Sequence, residues 1–255
     1  MKRLKILFTV LCALCSTMTF AHDFEVDSIY YNITDATNKT VAVTYSGSSY
    51  NSVTNEYTGS VVIPESVSYN GKVYSVTSIG NSAFYNCDGL TSVTIPNSVT
   101  SIGDSAFSGC SGLTRADIVD GVKSIGLSAF AGCNKLEEVY ISNTIESIGE
   151  MAFSGCTNIF EIWVGSKKAI AGNENIFSED TYNNALLHVP QGRKFAYERT
   201  APWSRFHIVE MDFTGVEDIN EQGTVNNIVY DLRGSVVENP INGIYIVNGK
   251  KVLVK

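Results

Sequence analysis

Basic side chains are the first shortage: 18 Lys plus Arg stand against 26 Asp plus Glu in 255 residues, a formal net charge of −8 at pH 7. Nucleic acid is therefore not an expected partner, since its backbone is held by clustered cations. Histidine is scarcer still, with His22, His188 and His207 alone. None of them lies in His-Glu-x-x-His, and the chain has no Gly-x-Ser-x-Gly, no phosphate-cradling glycine loop and no dinucleotide fingerprint. Catalytic residues, a metal and a cofactor are accordingly not expected. Long apolar runs are missing as well. The best, residues 6–14, has nine residues, whereas a membrane-spanning helix needs about 20. With 44% apolar and 17% charged residues, the composition is that of a folded acidic protein.

The one apolar run has its own reading. Lys2, Arg3 and Lys5 precede it, and Thr19-Phe20-Ala21 supplies small residues at the first and third positions before a cut. Residues 1–21 read as a secretory signal peptide, which predicts a secreted or outer-surface protein. Cleavage removes three cations and no carboxylate, leaving 15 basic against 26 acidic side chains, a net charge of −11.

What the chain does have is a repeat. Cys87, Cys110, Cys133 and Cys156 are each 23 residues apart. At that period Ile79-Gly80, Ile102-Gly103, Ile125-Gly126 and Ile148-Gly149 align, followed by Phe84, Phe107, Phe130 and Phe153, each preceded by alanine. Further columns are Leu90, Leu113, Leu136 and Ile159; Val93, Ala116, Val139 and Ile162; and Ile95, Ile118, Ile141 and Val164. Within a copy, Leu90-x-x-Val93-x-Ile95 has the two-residue spacing of a strand, and the Ile-Gly and Ala-Phe segment returns to the core through a short helical turn. One such coil cannot cover its own apolar side, and stacking the copies does. The fold class expected is an α/β repeat solenoid, right-handed, with short parallel strands and short helical turns.

The run from Leu90 through Val93, Ile95, Ile102-Gly103 and Ala106-Phe107 to Cys110 resembles the BspA-like, Treponema-type leucine-rich repeats of Bacteroidetes surface proteins. Residues 160–190 resemble a degenerate further turn, with Gly172 and Phe177 in the Gly and Phe columns. The resemblance implies a leucine-rich repeat protein of the cell surface that adheres to host matrix or bacterial proteins.

Both ends of a solenoid need covers. Residues 22–60 read as an N-terminal β-hairpin cap, with a second hairpin on Asn70-Gly71. Residues 61–212 form the repeat solenoid and its C-terminal cap, in which Tyr197, Trp203, Phe206 and Ile208 plug the stack. Residues 213–223 are a polar linker. Residues 224–255 form a small β segment whose Val229-Tyr-Asp-Leu-x-Gly234 and Gly243-x-Tyr-Ile-Val247 runs resemble type IX secretion sorting domains.

Two constellations remain. The four repeat cysteines, none in a Cys-x-x-Cys pair, form a ladder one coil apart. Parallel Cβ vectors along a line suit neither a disulfide nor a tetrahedral metal, so the thiols are expected as buried packing groups beside the Phe84, Phe107, Phe130 and Phe153 ladder. The strand face is the second. Val62, Thr94, Asp117, Tyr140, Trp163 and His188 are expected in one exposed column, with Ser92, Arg115, Glu138 and Glu161 beside it. Aromatic anchors rimmed by charge suit a protein contact. Tyr140, Trp163, Asp117, Arg115, Glu138 and His188 are therefore the candidate binding residues for a protein ligand. The competing functions are a carbohydrate-binding module using Tyr140 and Trp163 as a glycan platform, and an envelope spacer without a small ligand.

Overall fold

The computed structural model describes residues 22–51, 56–211, 229–230, 243–247 and 250–254. Residues 1–21, expected as a signal peptide, and 213–223, expected as a linker, lie outside the described residues, as does much of 224–255.

The N-terminal cap begins with β1 (Phe24–Val26), β2 (Ile29–Asp35) and β3 (Thr40–Thr44), an antiparallel meander. The strand β4 (Gly59–Val62) follows, then β5 (Ser66–Tyr69) and β6 (Lys72–Ile79). β5 and β6 pair antiparallel across Asn70-Gly71. Both turn residues have positive φ, 48° and 70°, the primed geometry whose twist matches the strands and which Asn-Gly tolerates best. β6 then runs parallel to β3, so the cap is continuous with the first coil.

From there each 23-residue coil contributes one longer and one shorter strand, paired in parallel with strands of neighbouring segments. The longer strands are β7 (Leu90–Thr94), β9 (Arg115–Ile118), β11 (Glu138–Ile141) and β13 (Glu161–Val164); the shorter ones are β8 (Ser101–Ile102), β10 (Ser124–Ile125) and β12 (Ser147–Ile148). β9, β11 and β13 stack in register, and β8, β10 and β12 stack on β6. The short second sheet was not read from the sequence, because two residues leave no alternation to detect. The helical part of each coil is contracted to i→i+3 turns such as Ala106 N–H to Gly103 O and Cys110 N–H to Phe107 O. Helices proper are few, and those described lie in the C-terminal region.

The core lies between the sheets and the turns. Leu90, Leu113, Leu136 and Ile159 are buried, as are Ile118, Ile141 and Val164. Phe84, Phe107, Phe130 and Phe153 stack nearly parallel with centroids 4.8, 5.0 and 5.2 Å apart, and Phe177 of the degenerate turn continues the stack at 5.1 Å. The Ile-Gly column has a steric reason. A Cβ on Gly149 would sit 2.4 Å from the Gly126 carbonyl carbon, so the coils approach backbone to backbone there.

The stack is closed by α1 (Glu179–Asn184), β14 (Leu186–Pro190), α2 (Lys194–Tyr197), a 3-10 turn (Trp203–Arg205) and β15 (His207–Met211). β14 and β15 extend the longer sheet in parallel. Trp203 Nε1 donates to Ile170 O and the Tyr197 hydroxyl to Ser166 O, both at 2.7 Å, so these large rings plug the end with their polar atoms satisfied. Further on, β16 (Val229–Tyr230), β17 (Gly243–Val247) and β18 (Lys250–Val254) form an antiparallel sheet. No helix among the described residues is long and apolar enough to cross a membrane.

Candidate recognition face

Side chains alternate along a strand, so Val139 and Ile141 point into the core while Glu138 and Tyr140 point out. In-register stacking converts this alternation into columns. Asp117, Tyr140, Trp163 and His188 are direct neighbours across β9, β11, β13 and β14, and Arg115, Glu138 and Glu161 form the next column. The column does not run unbroken to the N-terminus. Val62 and Thr94 pair with each other on the two-stranded β4–β7 sheet, separate from the five-stranded one.

The charges along this face are organised. Arg115 Nε donates to both Asp117 carboxylate oxygens at 2.7 and 2.8 Å, and its Nη1 donates to Glu138 Oε2 at 2.9 Å. One guanidinium thus bridges two columns. Glu138 departs from expectation: it is only 6% exposed and is not part of an open rim. The Arg115 charge beside it compensates the carboxylate's withdrawal from water. On the following coils His188 Nε2 pairs with the Glu161 carboxylate, and the imidazole lies flat on the Trp163 indole, 8° from parallel with centroids 3.8 Å apart. Glu161, which the sequence placed beside the column without a role, is what orients His188. Asp120 was missed altogether. Burial first, then the Asp120 and Asp117 carboxylates, push the Tyr140 hydroxyl up to about 12, with Arg115 opposing them. Tyr140 therefore stays a neutral hydrogen-bonding group at physiological pH. Asp117, Arg115, Tyr140, Trp163 and His188 are all half-buried.

The thiol ladder lies in the interior, away from this face. Cys110, Cys133 and Cys156 donate to the carbonyls of Phe84, Phe107 and Phe130 one coil below, at 3.0, 3.2 and 3.0 Å. All four repeat cysteines are free and buried. Burial pushes the Cys87 thiol up to about 11 and Cys110 further, so these sulfurs are poor nucleophiles. No group of three or more His, Cys, Asp or Glu among the described residues is arranged to hold a metal ion.

The BspA type leucine rich repeat region matches residues 54–184 in six copies. Among solved structures, a leucine-rich repeat protein from Bacteroides capillosus is 28% identical, with a TM-score of 0.44 over 56% of this chain and 98% of that one. A leucine-rich repeat protein from Bacteroides ovatus is 25% identical with a TM-score of 0.44, covering 75% and 53%. A leucine rich cell surface protein from Faecalibacterium prausnitzii is 24% identical with a TM-score of 0.42, covering 64% and 53%. No curated protein matches the chain.

Proposed function

Because the chain belongs to the family of BspA-type leucine-rich repeat proteins, we propose that it is an exported protein that recognises another protein at the bacterial surface without chemistry, through the face of β9, β11, β13 and β14. The observation that carries this reading is the in-register row Asp117, Tyr140, Trp163 and His188. Its polar members Asp117 and His188 are already tied into the Arg115–Asp117–Glu138 and Glu161–His188 contacts. Side chains fixed before the partner arrives lose little rotamer freedom on binding, and half-buried aromatic and Arg groups are the usual anchors of protein contacts. Export follows from residues 1–21, and the host or bacterial surface protein bound is the adhesion partner.

The same geometry disfavours the carbohydrate module. A sugar platform offers an open ring face, whereas one face of the Trp163 indole is taken by the His188 imidazole. A spacer would gain nothing from this ordered row of charges.

The test compares the full chain with the Tyr140→Ala/Trp163→Ala variant for binding to immobilised matrix proteins and to a glycan panel in one assay. Circular dichroism of both checks folding. Protein binding weakened tenfold or more in a folded variant supports the reading. Glycan binding lost in the same way establishes the carbohydrate module instead, and binding of neither class by either protein leaves the spacer.

A further inference from the structure

His188 closes the row on the strand face, and its surroundings are chemically specific. Its Nε2 meets the Glu161 carboxylate, and its ring covers one face of the Trp163 indole. Both partners stand on β13, the strand paired in register with β14. The His188 side chain is 13% exposed and that of Glu161 25%, so protons exchange with water while the contact is screened less than at an open surface. The ion pairs among the described residues give Glu161 no Lys or Arg.

Both contacts discriminate between the two states of the ring. Neutral imidazole offers Glu161 at most one N–H and meets the indole as one aromatic ring on another. Imidazolium adds a full charge, which turns the first contact into an ion pair and the second into a cation–π contact. Partial burial acts the other way, and an ionised carboxylate in direct contact outweighs it. Few other groups bear on the ring. β14 carries no other titratable residue, and β15 places Val209 opposite His188, with His207 and Glu210 along the same strand. Lys194 of α2, which packs on these two strands, has its ammonium paired with Glu198. The Arg115–Asp117–Glu138 group lies on β9 and β11, two or more strands away.

We propose that His188, Glu161 and Trp163 form a proton-operated latch on the recognition face. A bound proton seats the imidazole between carboxylate and indole, and its loss leaves a weaker contact and a freer ring. The consequence rests on the reading of this row as the binding face. A row fixed in advance loses little freedom on binding, so the face holds a protein partner more tightly in mildly acidic than in mildly alkaline surroundings. Carboxylates stay ionised above about pH 5, which leaves histidine as the side chain that changes charge in this interval.

The latch is tested without a partner. Proton NMR of the full chain follows His22, His188 and His207 from pH 5 to 9, and tryptophan emission is recorded over the same range. Imidazolium quenches an indole that it touches, and the other tryptophan, Trp203, is buried in the end cap. Emission should fall on acidification with the midpoint of the His188 resonance. That step should vanish in His188→Gln and persist in His207→Gln, and Glu161→Gln should lower the His188 midpoint by about one pH unit. Emission indifferent to pH, a step that survives His188→Gln, or an unshifted midpoint in folded Glu161→Gln overturns the latch. For a matrix protein that the face binds, the Kd should rise at least threefold from pH 6 to pH 8 in the native chain and stay level in His188→Gln. A level Kd in the native chain overturns the regulatory consequence. Binding of no protein at either pH counts against the binding-face reading alone, and the latch is then decided by the titrations.

Discussion

Arg115 and Glu138 show how much a single side chain decides here. The Glu138 side chain is 8% exposed and Arg115 31%, so truncating the cation strands a carboxylate that water barely reaches. Arg115→Ala should lower stability by roughly 2 kcal/mol, below the 3–5 of a fully buried pair because Arg115 is partly solvated. Glu138→Gln in the Arg115→Ala background should recover part of that loss. Urea unfolding of the two single variants and the double variant measures it, and additive losses would show that the pair is not coupled. The thiols make a second prediction at this scale. A thiol held neutral in the native state ionises more readily once unfolded, so its stabilisation is complete below about pH 9 and is lost as pH rises toward the native value. For Cys87 that window runs from 9 to about 11. Cys110 and the buried tyrosines Tyr31 and Tyr57 are raised in the same direction. The urea midpoint should fall steeply above pH 9. A midpoint unchanged at pH 10.5 would contradict the burial of these groups.

At the scale of elements, the coil is held by columns, and columns are what a 23-residue period displays. Leu113, Ile118, Phe107 and Cys110 were legible in the sequence because each recurs in register and each is buried. The Ser-Ile strands were not, since only their pairing across coils defines them. Nor was the burial of Glu138, which depends on an arginine one coil away. The column logic ranks substitutions. Phe130→Ala opens a gap between Phe107 and Phe153 in the middle of the stack and should cost about 3–5 kcal/mol. Gly149→Ala adds a single methyl group, yet its Cβ would meet backbone of the coil below at 2.4 Å. It should cost roughly 1–3 kcal/mol, whereas alanine on an exposed face of a coil is close to neutral. Equilibrium denaturation of both variants settles the order, and a neutral Gly149→Ala would mean that the coils can part at this corner.

Taken whole, the molecule is a stack in which each coil meets its neighbours through the same surfaces, so its stability is nearly a sum over coils and their interfaces. Removing residues 88–110, one full period, joins Cys87 to Ser111 and leaves every column in register. That variant should fold cooperatively with a lower urea midpoint, and it should keep whatever the Tyr140, Trp163 and His188 row binds. Removing 88–99 alone breaks the register and should abolish the folded state. Circular dichroism and denaturation of the two deletions make the comparison, and failure of the full-period deletion to fold would show that the cap depends on this particular first coil. The uniform spacing of the phenylalanine stack, 4.8–5.2 Å per coil, carries a genetic consequence. Unequal recombination between copies that gains or loses whole repeats shifts the reach of the protein in steps of about 5 Å and leaves the surviving coils intact. Length is therefore the trait that inheritance can vary most freely in such a gene, while the row at β9, β11, β13 and β14 travels with it unaltered.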